Sequence, residues 1–280
     1  MLIDTHAHLN FRAFEKDRDE VINRALNEKV WMINVGTNYE TSKKAVEIAQ
    51  KYQKGVFAAI GLHPINVKHK IINYKREIKT NEEDILEEDF ISQKYKELAQ
   101  SEKVVALGEI GLDYWSRPKS KRKLELFKEK QKEILLKQLD LAQELNLPVI
   151  FHCRLAHDDL LKILALHVTG YTLHGVVHCF TGTWEEAEEY LAMGFYLGFN
   201  GIIFKLKLEE VIKKTPLNRV LIETDCPFLA PPTFPEERNN PLGVRFIAEY
   251  IAKIRGIAFE EIAEITTGNA IRLFGLRISC

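Results

Sequence analysis

Two histidines lie two residues apart in the first apolar run of the chain, "MLIDTHAHLNF". On an extended strand alternate side chains share a face, so His6 and His8 point the same way. Two imidazoles on one face can chelate a divalent metal ion, although such pairs also arise by chance at strand edges. The positions of the other polar residues are needed to distinguish a metal-binding pair from a chance pair.

More residues that could do chemistry follow later apolar runs, in "IGLHP", "LGEIGLD", "VIFHC", "VVHCF" and "LIETDCP". They are His63, Glu109, His152, His178 and Asp225. Each has a structural explanation when it is considered alone, because buried histidines are commonly hydrogen-bonded and acidic residues often cap turns. Their common position, at or just after the end of a β-rich run, is what needs an explanation.

The β-rich runs predict eight strands, and helical patterns separate them. The strands are expected at 2–8, 30–35, 56–62, 104–107, 149–153, 176–180, 195–199 and 220–224. Intervening segments such as "LELFKEKQKEILLKQLDLAQELN" carry apolar residues at helical spacing. Strand and helix in alternation predict an α/β fold, a (β/α)8 TIM barrel that residues 1–280 form as a single domain.

In such a barrel the carboxyl ends of all strands share one rim, where the active sites of this fold lie. The barrel therefore gathers a set of histidines and carboxylates at one place. The expected metal ligands are His6, His8, Glu109, His152, His178 and Asp225. Burying this set without a cation would leave charges and lone pairs uncompensated.

Six ligands are more than one four-coordinate ion needs, but they suit two divalent ions that share a carboxylate. Glu109 is the expected bridge, because a carboxylate can give one oxygen to each ion. One ion is expected on His6, His8 and Asp225, and the other on His152 and His178. A water molecule between two such ions loses a proton near neutral pH, which predicts a hydrolase.

Composition narrows the possible partners. The formal net charge of -1 gives no global positive field, so a polyanionic substrate would have to be bound by a local site or by metal ions.

No leader sequence or membrane span is recognisable, and a cytoplasmic protein is the default expectation. The four cysteines, Cys153, Cys179, Cys226 and Cys280, are expected to be core residues that bind no metal.

Two charged segments read as loop insertions. The segment 67–90, "VKHKIINYKREIKTNEEDILEEDF", mixes basic and acidic blocks and is expected to be a solvated loop. The segment 116–123, "SRPKSKRK", concentrates positive charge beside the expected rim. It is either the solvated start of a helix or a contact for a polyanion.

With these residues identified, the sequence resembles the TatD family of metal-dependent deoxyribonucleases, within the amidohydrolase-like barrels. The motifs that carry the resemblance run from end to end, as "DTHAHLNF", "GLHP", "GEIGLDYW", "LPVIFHCR", "HCFTG", "LIETDCPFLAPP", "RNNP" and "TTGNAIRLFGL". The resemblance implies the same six ligands. It also implies catalytic roles for Glu109 and Asp225, with Asp225 accepting the proton of the attacking water.

The resemblance also suggests residues around the ligands. It implies that His63 and Arg154 contact phosphate or support the ligands, although a turn histidine and a surface arginine are equally good interpretations. Glu223 lies two residues before Asp225 and is expected to point inward and support a ligand. Arg238 and Asn239 either border the pocket or cap the final helices, and capping is the preferred interpretation.

Two positions depart from the usual family motifs and leave substrate preference open. Leu155 follows Arg154 where the family often has aspartate, and Asn240 stands where it often has glutamate. Neither position is an expected ligand, so the expected ligand set is intact.

We therefore expect a two-metal hydrolase that cleaves phosphodiester bonds of DNA, as a 3′–5′ exodeoxyribonuclease acting on single strands or 3′ ends. The two divalent ions could be zinc, manganese or magnesium. One alternative is a hydrolase of the same fold that acts on a lactone, a phosphotriester or an aminoacyl-tRNA ester. Another is a non-catalytic barrel that binds metal or a protein partner. The intact ligand set favours an enzyme.

Overall fold

The computed structural model of the chain describes residues 1–69, 87–115, 117–168 and 173–277. Its eight strands form one parallel sheet in which neighbours in sequence are neighbours in space. The strands are β1 (Leu2–Ala7), β2 (Val30–Val35), β3 (Val56–Ile60), β4 (Val104–Asp113), β5 (Val149–Arg154), β6 (Gly175–Val177), β7 (Tyr196–Phe199) and β8 (Val220–Ile222). The predicted (β/α)8 barrel is confirmed.

A helix follows each strand, and one more helix ends the described chain. The helices are α1 (Arg18–Asn27), α2 (Tyr39–Gln50), α3 (Ser92–Leu98), α4 (Lys121–Leu145), α5 (His157–Val168), α6 (Trp184–Ala192), α7 (Glu209–Lys214), α8 (Val244–Arg255) and α9 (Phe259–Phe274). Among the residues that the structure describes, none of these helices combines the length and the apolar composition that a bilayer crossing requires.

The apolar residues form two layers. The larger layer lies between the sheet and the helices and includes Met32 of β2, Phe151 of β5 and Ile22 of α1. The smaller layer fills the barrel interior, where Ile150 and other inward residues pack with the end of α9. The helix α9 thus covers the amino-terminal end of the barrel, and the catalytic groups expected from the sequence lie at the opposite end.

Hydrogen bonds at the carboxyl end of β1 and just after β8 join the first and last strands. The Asp225 amide donates to the carbonyl oxygen of His6 at 2.8 Å, and the His8 amide donates to the Cys226 carbonyl at 2.9 Å. Deeper in the barrel, the buried carboxylate of Asp4 accepts hydrogen bonds from the amide and hydroxyl of Thr224, at 2.9 and 2.6 Å. We call this set of contacts the β1–β8 seam.

The fourth strand differs from its prediction. It was expected to end at Leu107 with Glu109 after it, but β4 continues to Asp113 and contains Glu109. The pairing of β4 with β5 shifts register between Leu107 and Ile110. The irregular pairing and the glycines of "LGEIGLD" disguise the strand, because glycine is depleted in strands and marks turns in a sequence.

Three cysteines fall within the described residues, and all are free thiols. Cys153 and Cys226 pack into the layer between sheet and helices, as expected. Cys179 differs, because its backbone has a φ of 46° and its half-buried thiol lies 3.5 Å from the side-chain oxygen of Asn200. Cys280 lies outside the described residues.

The two charged segments are described to different extents. Most of 67–90 lies outside the described residues, so its interpretation as a solvated loop stays a prediction. In the second segment α4 begins at Lys121, and the basic side chains of residues 121–123 are exposed. The helix start is confirmed, whereas a contact with a polyanion stays a prediction.

Candidate metal centre

Glu109 lies at the centre of the histidines that the barrel brings together. One of its oxygens, Oε2, is 3.4 Å from Nε2 of His6 and 3.9 Å from Nε2 of His8. The other, Oε1, is 2.7 Å from Nδ1 of His152 and 3.3 Å from Nε2 of His178. Its two oxygens therefore face two different pairs of imidazoles.

A first group of donor atoms combines His6 of β1 and His8, which follows β1, with Asp225 of the β1–β8 seam. The Nε2 atoms of His6 and His8 are 3.1 Å apart, and Oδ1 of Asp225 lies 3.8 and 3.3 Å from them. Bonds of about 2.1 Å to a tetrahedral ion would separate neighbouring ligand atoms by about 3.4 Å. The observed separations suit a divalent cation held by these three side chains.

The ring of His8 is oriented by its backbone surroundings. Its Nδ1 lies 2.8 Å from the carbonyl oxygen of Val35, an acceptor, so Nδ1 carries the proton. The lone pair of the neutral ring is then on Nε2, which faces His6 and Asp225. This tautomer prepares His8 to bind a metal through Nε2.

Carboxylates support His152 of β5 and His178, the residue after β6, through the ring nitrogen that does not face Glu109. Nδ1 of His178 lies 2.8 Å from Oε1 of Glu223, and Nε2 of His152 lies 3.1 Å from Oδ2 of Asp113. Both Glu223 and Asp113 are buried. A carboxylate on the far nitrogen fixes the ring and makes the near nitrogen a stronger ligand. The expected inward direction of Glu223 agrees with this contact.

His63 has the geometry of a hydrogen-bond donor. Its Nδ1 accepts the Ile65 amide proton at 2.9 Å, so in the neutral ring the proton is on Nε2. That nitrogen lies 3.4 Å from Oε1 of Glu109. Burial, aided by the nearby His152, lowers the pKa of His63 to about 4, and the ring is neutral at physiological pH.

The charges of the other groups follow from their neighbours. Burial raises the pKa of Glu109, but His63, His178 and His6 outweigh it and hold that pKa well below its usual range. Burial likewise raises the pKa of Asp225, and the hydrogen bond with His8 contributes most to its net lowering. Both carboxylates are therefore ionised at neutral pH. A cluster of buried anionic oxygens and imidazole lone pairs is suited to a cation.

Two buried side-chain atoms in this cluster have no hydrogen-bond partner among the residues that the structure describes. They are Nδ1 of His6 and Oε2 of Glu223. Buried polar atoms without partners are costly, and they are commonly explained by an unseen ion or water. The fit to a metal ion itself rests on the donor set, because Nε2 of His6, Nε2 of His8 and Oδ1 of Asp225 have the spacing that one cation requires.

Sequence reasoning missed Asp113. Burial raises the pKa of this carboxyl, but the hydrogen bond with His152 outweighs burial and the pKa falls to about 2. The same carboxylate accepts the amide proton of Trp115 at 2.8 Å. A prediction that extended β4 to Asp113 would have placed this carboxylate near His152. Asp113 pairs with Arg154, which lies two residues beyond His152 on β5.

Arg154 ends β5 and is exposed, with its guanidinium carbon 4.4 Å from the ring centroid of Trp115. Arg238 and Asn239 instead brace loops, so the preferred prediction that they cap the final helices is wrong. Arg238 donates to the carbonyl of Ala13 and pairs with Asp17, while Asn239 donates to the carbonyls of Thr224 and Phe228.

The two departures from the family motifs have local explanations. Asn240 accepts the Leu242 amide proton at 3.0 Å and so begins the short 3₁₀ helix Pro241–Gly243. Leu155 is 57% exposed and has a φ of 55°, a left-handed conformation that leucine adopts at a cost.

Replacement of Leu155 by asparagine is expected to stabilise the protein. Asparagine tolerates the left-handed region, whereas other side chains lose about 1–2 kcal/mol there. The exposed leucine also has little apolar burial to lose. We expect Leu155→Asn to raise the free energy of unfolding by about 1 kcal/mol, measured by urea titration. Leu206→Asn is the control, because Leu206 is also exposed but has an ordinary φ; equal effects would contradict the backbone explanation.

A comparison with models of protein families shows which family the chain belongs to. The model described as "TatD related DNase" matches residues 3–275. The chain belongs to the TatD family. Its members include metal-dependent hydrolases, so the chain is a hydrolytic enzyme. The structure brings together histidine, glutamate and aspartate side chains that could hold a metal ion.

Individual TatD relatives match over nearly their whole length. An uncharacterised metal-dependent hydrolase of Bacillus subtilis, YabD, is 44% identical over 98% of this chain and 99% of its own. The 3′–5′ ssDNA/RNA exonuclease TatD of Erwinia tasmaniensis is 34% identical over 98% of this chain and 100% of its own. The solved TatD homologue YJJV of Escherichia coli is 29% identical, with a TM-score of 0.79 over 99% of this chain and 98% of its own.

Proposed function

We propose that this TatD protein removes nucleotides from the 3′ end of single-stranded DNA by hydrolysing phosphodiester bonds with two divalent metal ions. The observation that carries the proposal is the position of Glu109, whose two oxygens face separate pairs of histidines. A carboxylate in that position can neutralise two adjacent cations and hold them a short distance apart.

The residues divide into two sets of ligands around Glu109. His6, His8 and Asp225 would hold one ion, and His152 with His178 the other. Bound divalent ions would polarise the phosphodiester and lower the pKa of water. The nitrogen-rich donor set suits zinc or manganese better than magnesium.

The remaining polar groups have roles that follow from their hydrogen bonds. Asp225 is ionised and partly accessible, so its carboxylate can accept the proton of the attacking water. Neutral His63 can donate its Nε2 proton to a phosphate oxygen. Glu223 and Asp113 hold the rings of His178 and His152 in position.

Three observations support a nucleic acid substrate. Relatives from Erwinia bear the name 3′–5′ ssDNA/RNA exonuclease. The candidate centre is recessed in the barrel mouth, where it is easier to reach for a chain end than for the flank of a duplex. Exposed cations at 121–123 lie at the start of α4, on the same face of the barrel.

The direct test is a panel of substrates given to the metal-loaded and the chelator-treated protein. The panel contains labelled single- and double-stranded DNA, RNA, a lactone, a phosphotriester and an aminoacyl-tRNA. We expect metal-dependent release of nucleotides from the 3′ end of single-stranded DNA. Turnover of another ester without DNA turnover would favour a different hydrolase, and metal binding without any turnover would favour a non-catalytic role.

The basic segment gives a separate prediction. We expect replacement of Lys119, Lys121, Arg122 and Lys123 by glutamine to weaken DNA binding and to flatten its salt dependence, because phosphate contacts release counterions. Each lost contact lowers the log–log slope for a single strand by about 0.7. The measurement is the Kd of an oligonucleotide as a function of salt.

Turnover of a small phosphodiester is the control for this variant. It is expected to stay near the wild-type value, because the segment does not contact Glu109 or the histidines around it in the described contacts. Equal salt slopes for the variant and the wild type would identify the segment as solvated surface.

A further inference from the structure

A tryptophan on the rim of the barrel presents most of its side chain to solvent. Trp115 follows β4 and is 61% exposed, whereas Trp31 is 9% exposed and Trp184 is partly buried against the core. An indole offers a large flat apolar surface that proteins normally bury. An exposed indole beside a hydrolytic centre is suited to stacking against a planar ring of a ligand.

Two contacts fix Trp115 relative to the candidate metal centre. Its amide donates to Oδ1 of Asp113 at 2.8 Å, and Oδ2 of the same carboxylate lies 3.1 Å from Nε2 of His152. One carboxylate therefore joins the tryptophan backbone to a proposed metal ligand. The backbone of Trp115 is thereby held beside the candidate centre.

The second contact is the stack with Arg154. The guanidinium carbon lies 4.4 Å from the ring centroid of Trp115. Arg154 is two residues beyond His152 on β5, so strand alternation directs both side chains to the same face. The cation covers part of the indole, and the large exposed fraction of Trp115 leaves surface for a second flat group.

The charge that follows Trp115 in the chain points to a polyanion. Arg117 and Lys119 lead to α4, whose first residues 121–123 are all basic and whose first turn has no acidic residue. Cations at the amino terminus of a helix oppose the helix dipole. An anionic ligand along this segment would relieve that repulsion.

An exposed aromatic ring followed by a basic stretch is the combination that binds single-stranded nucleic acid, because bases stack on the ring while phosphates follow the cations. A base inside a duplex is already stacked and paired, so its faces are not available to Trp115. The exposed Leu155, next to Arg154 in the chain, adds apolar surface to the same rim.

We propose that Trp115 is a stacking site for an unpaired nucleobase of the substrate strand, supported by Arg154 and positioned by Asp113. The proposal rests on the proposed function, and it names the part of the substrate that the rim recognises. The site selects single strands over duplexes, and it contributes to substrate binding without contacting the reacting atoms.

The test compares the metal-loaded wild type with Trp115→Ala and Trp115→Phe. The substrates are a DNA oligonucleotide and the same oligonucleotide with abasic residues at its 3′ end. For the intact oligonucleotide we expect Trp115→Ala to raise KM about 10-fold, in keeping with the strength of base stacking, and to leave kcat within about twofold. Trp115→Phe should restore most of the binding, because a phenyl ring still stacks.

The abasic substrate separates stacking from a structural role. Without a base to stack, the wild type and Trp115→Ala should have the same KM. Leu136→Ala, an exposed apolar position on α4, is the matched control and should behave as the wild type with both substrates. A KM that rises equally for intact and abasic substrates, or that does not rise in Trp115→Ala, would overturn the stacking site while leaving the proposed function intact.

Failure of the proposed function gives a different result, namely that the wild type hydrolyses no nucleic acid. In that case fluorescence titration with a phosphorothioate oligonucleotide decides the inference. Quenching in the wild type that is absent from Trp115→Phe would support the stacking site. Identical titration curves for the two proteins would refute it.

Discussion

The Glu109→Gln variant is expected to bind fewer than two metal ions per chain and to lose more than about 100-fold in kcat/KM. The substitution keeps the size of a buried side chain whose oxygens contact imidazoles on both sides. It removes the negative charge that allows two cations to lie side by side. Loss of a residue that only supports a ligand costs about 10–100-fold, and a bridging ligand should cost more.

Elemental analysis and steady-state kinetics check this result on the same preparation. Glu188→Gln, an exposed glutamate on α6, is the matched control and should retain both ions and full activity. Circular dichroism of Glu109→Gln establishes whether the barrel is intact. If the variant keeps two ions and near-normal turnover, the bridging assignment is wrong.

The Asp225→Asn variant should separate metal binding from proton transfer. Asparagine keeps a ligating oxygen, and it tolerates the φ of 55° that this position requires. It lacks the basic oxygen that accepts the proton of water. We therefore expect substantial occupancy of both sites in excess metal, together with a loss in kcat on the order of 10²-fold or more.

His178→Ala is the comparison variant for Asp225→Asn. It removes a ligand without removing the base, so raising the metal concentration should restore part of its activity. Metal titrations of activity for the two variants, with occupancy measured in parallel, distinguish the two effects. Full recovery of kcat by Asp225→Asn at saturating metal would make Asp225 a ligand only, and the proton would then go to another group.

The fold was predictable because each barrel strand combines local β propensity with a fixed place in the repeat. Alternation also predicted that His6 and His8 face the same way, which their 3.1 Å contact confirms. The sequence could not show where β4 ends. Its glycines are typical of turns, while the pairing that extends the strand depends on β5, a partner more than thirty residues away.

The residues that support the expected metal ligands were harder to predict from the sequence than the ligands themselves. The inward direction of Glu223 could be predicted because it lies two residues before Asp225, and alternate residues of a strand point to the same face. Asp113 could not, since its role depends on the unpredicted part of β4. The stack of Arg154 on Trp115 joins the last residue of β5 to the turn after β4, and no periodicity in the sequence reports such a contact.

The β1–β8 seam has a consequence for the synthesis of the protein. The hydrogen bonds from Asp225 to His6 and from His8 to Cys226 assemble one half of the candidate centre from residues that are far apart in the sequence. A ribosome produces His6 and His8 long before it reaches Asp225, because more than 200 residues separate them in the sequence. A nascent polypeptide that does not yet contain Asp225 therefore lacks the complete centre and, with it, the proposed hydrolytic activity.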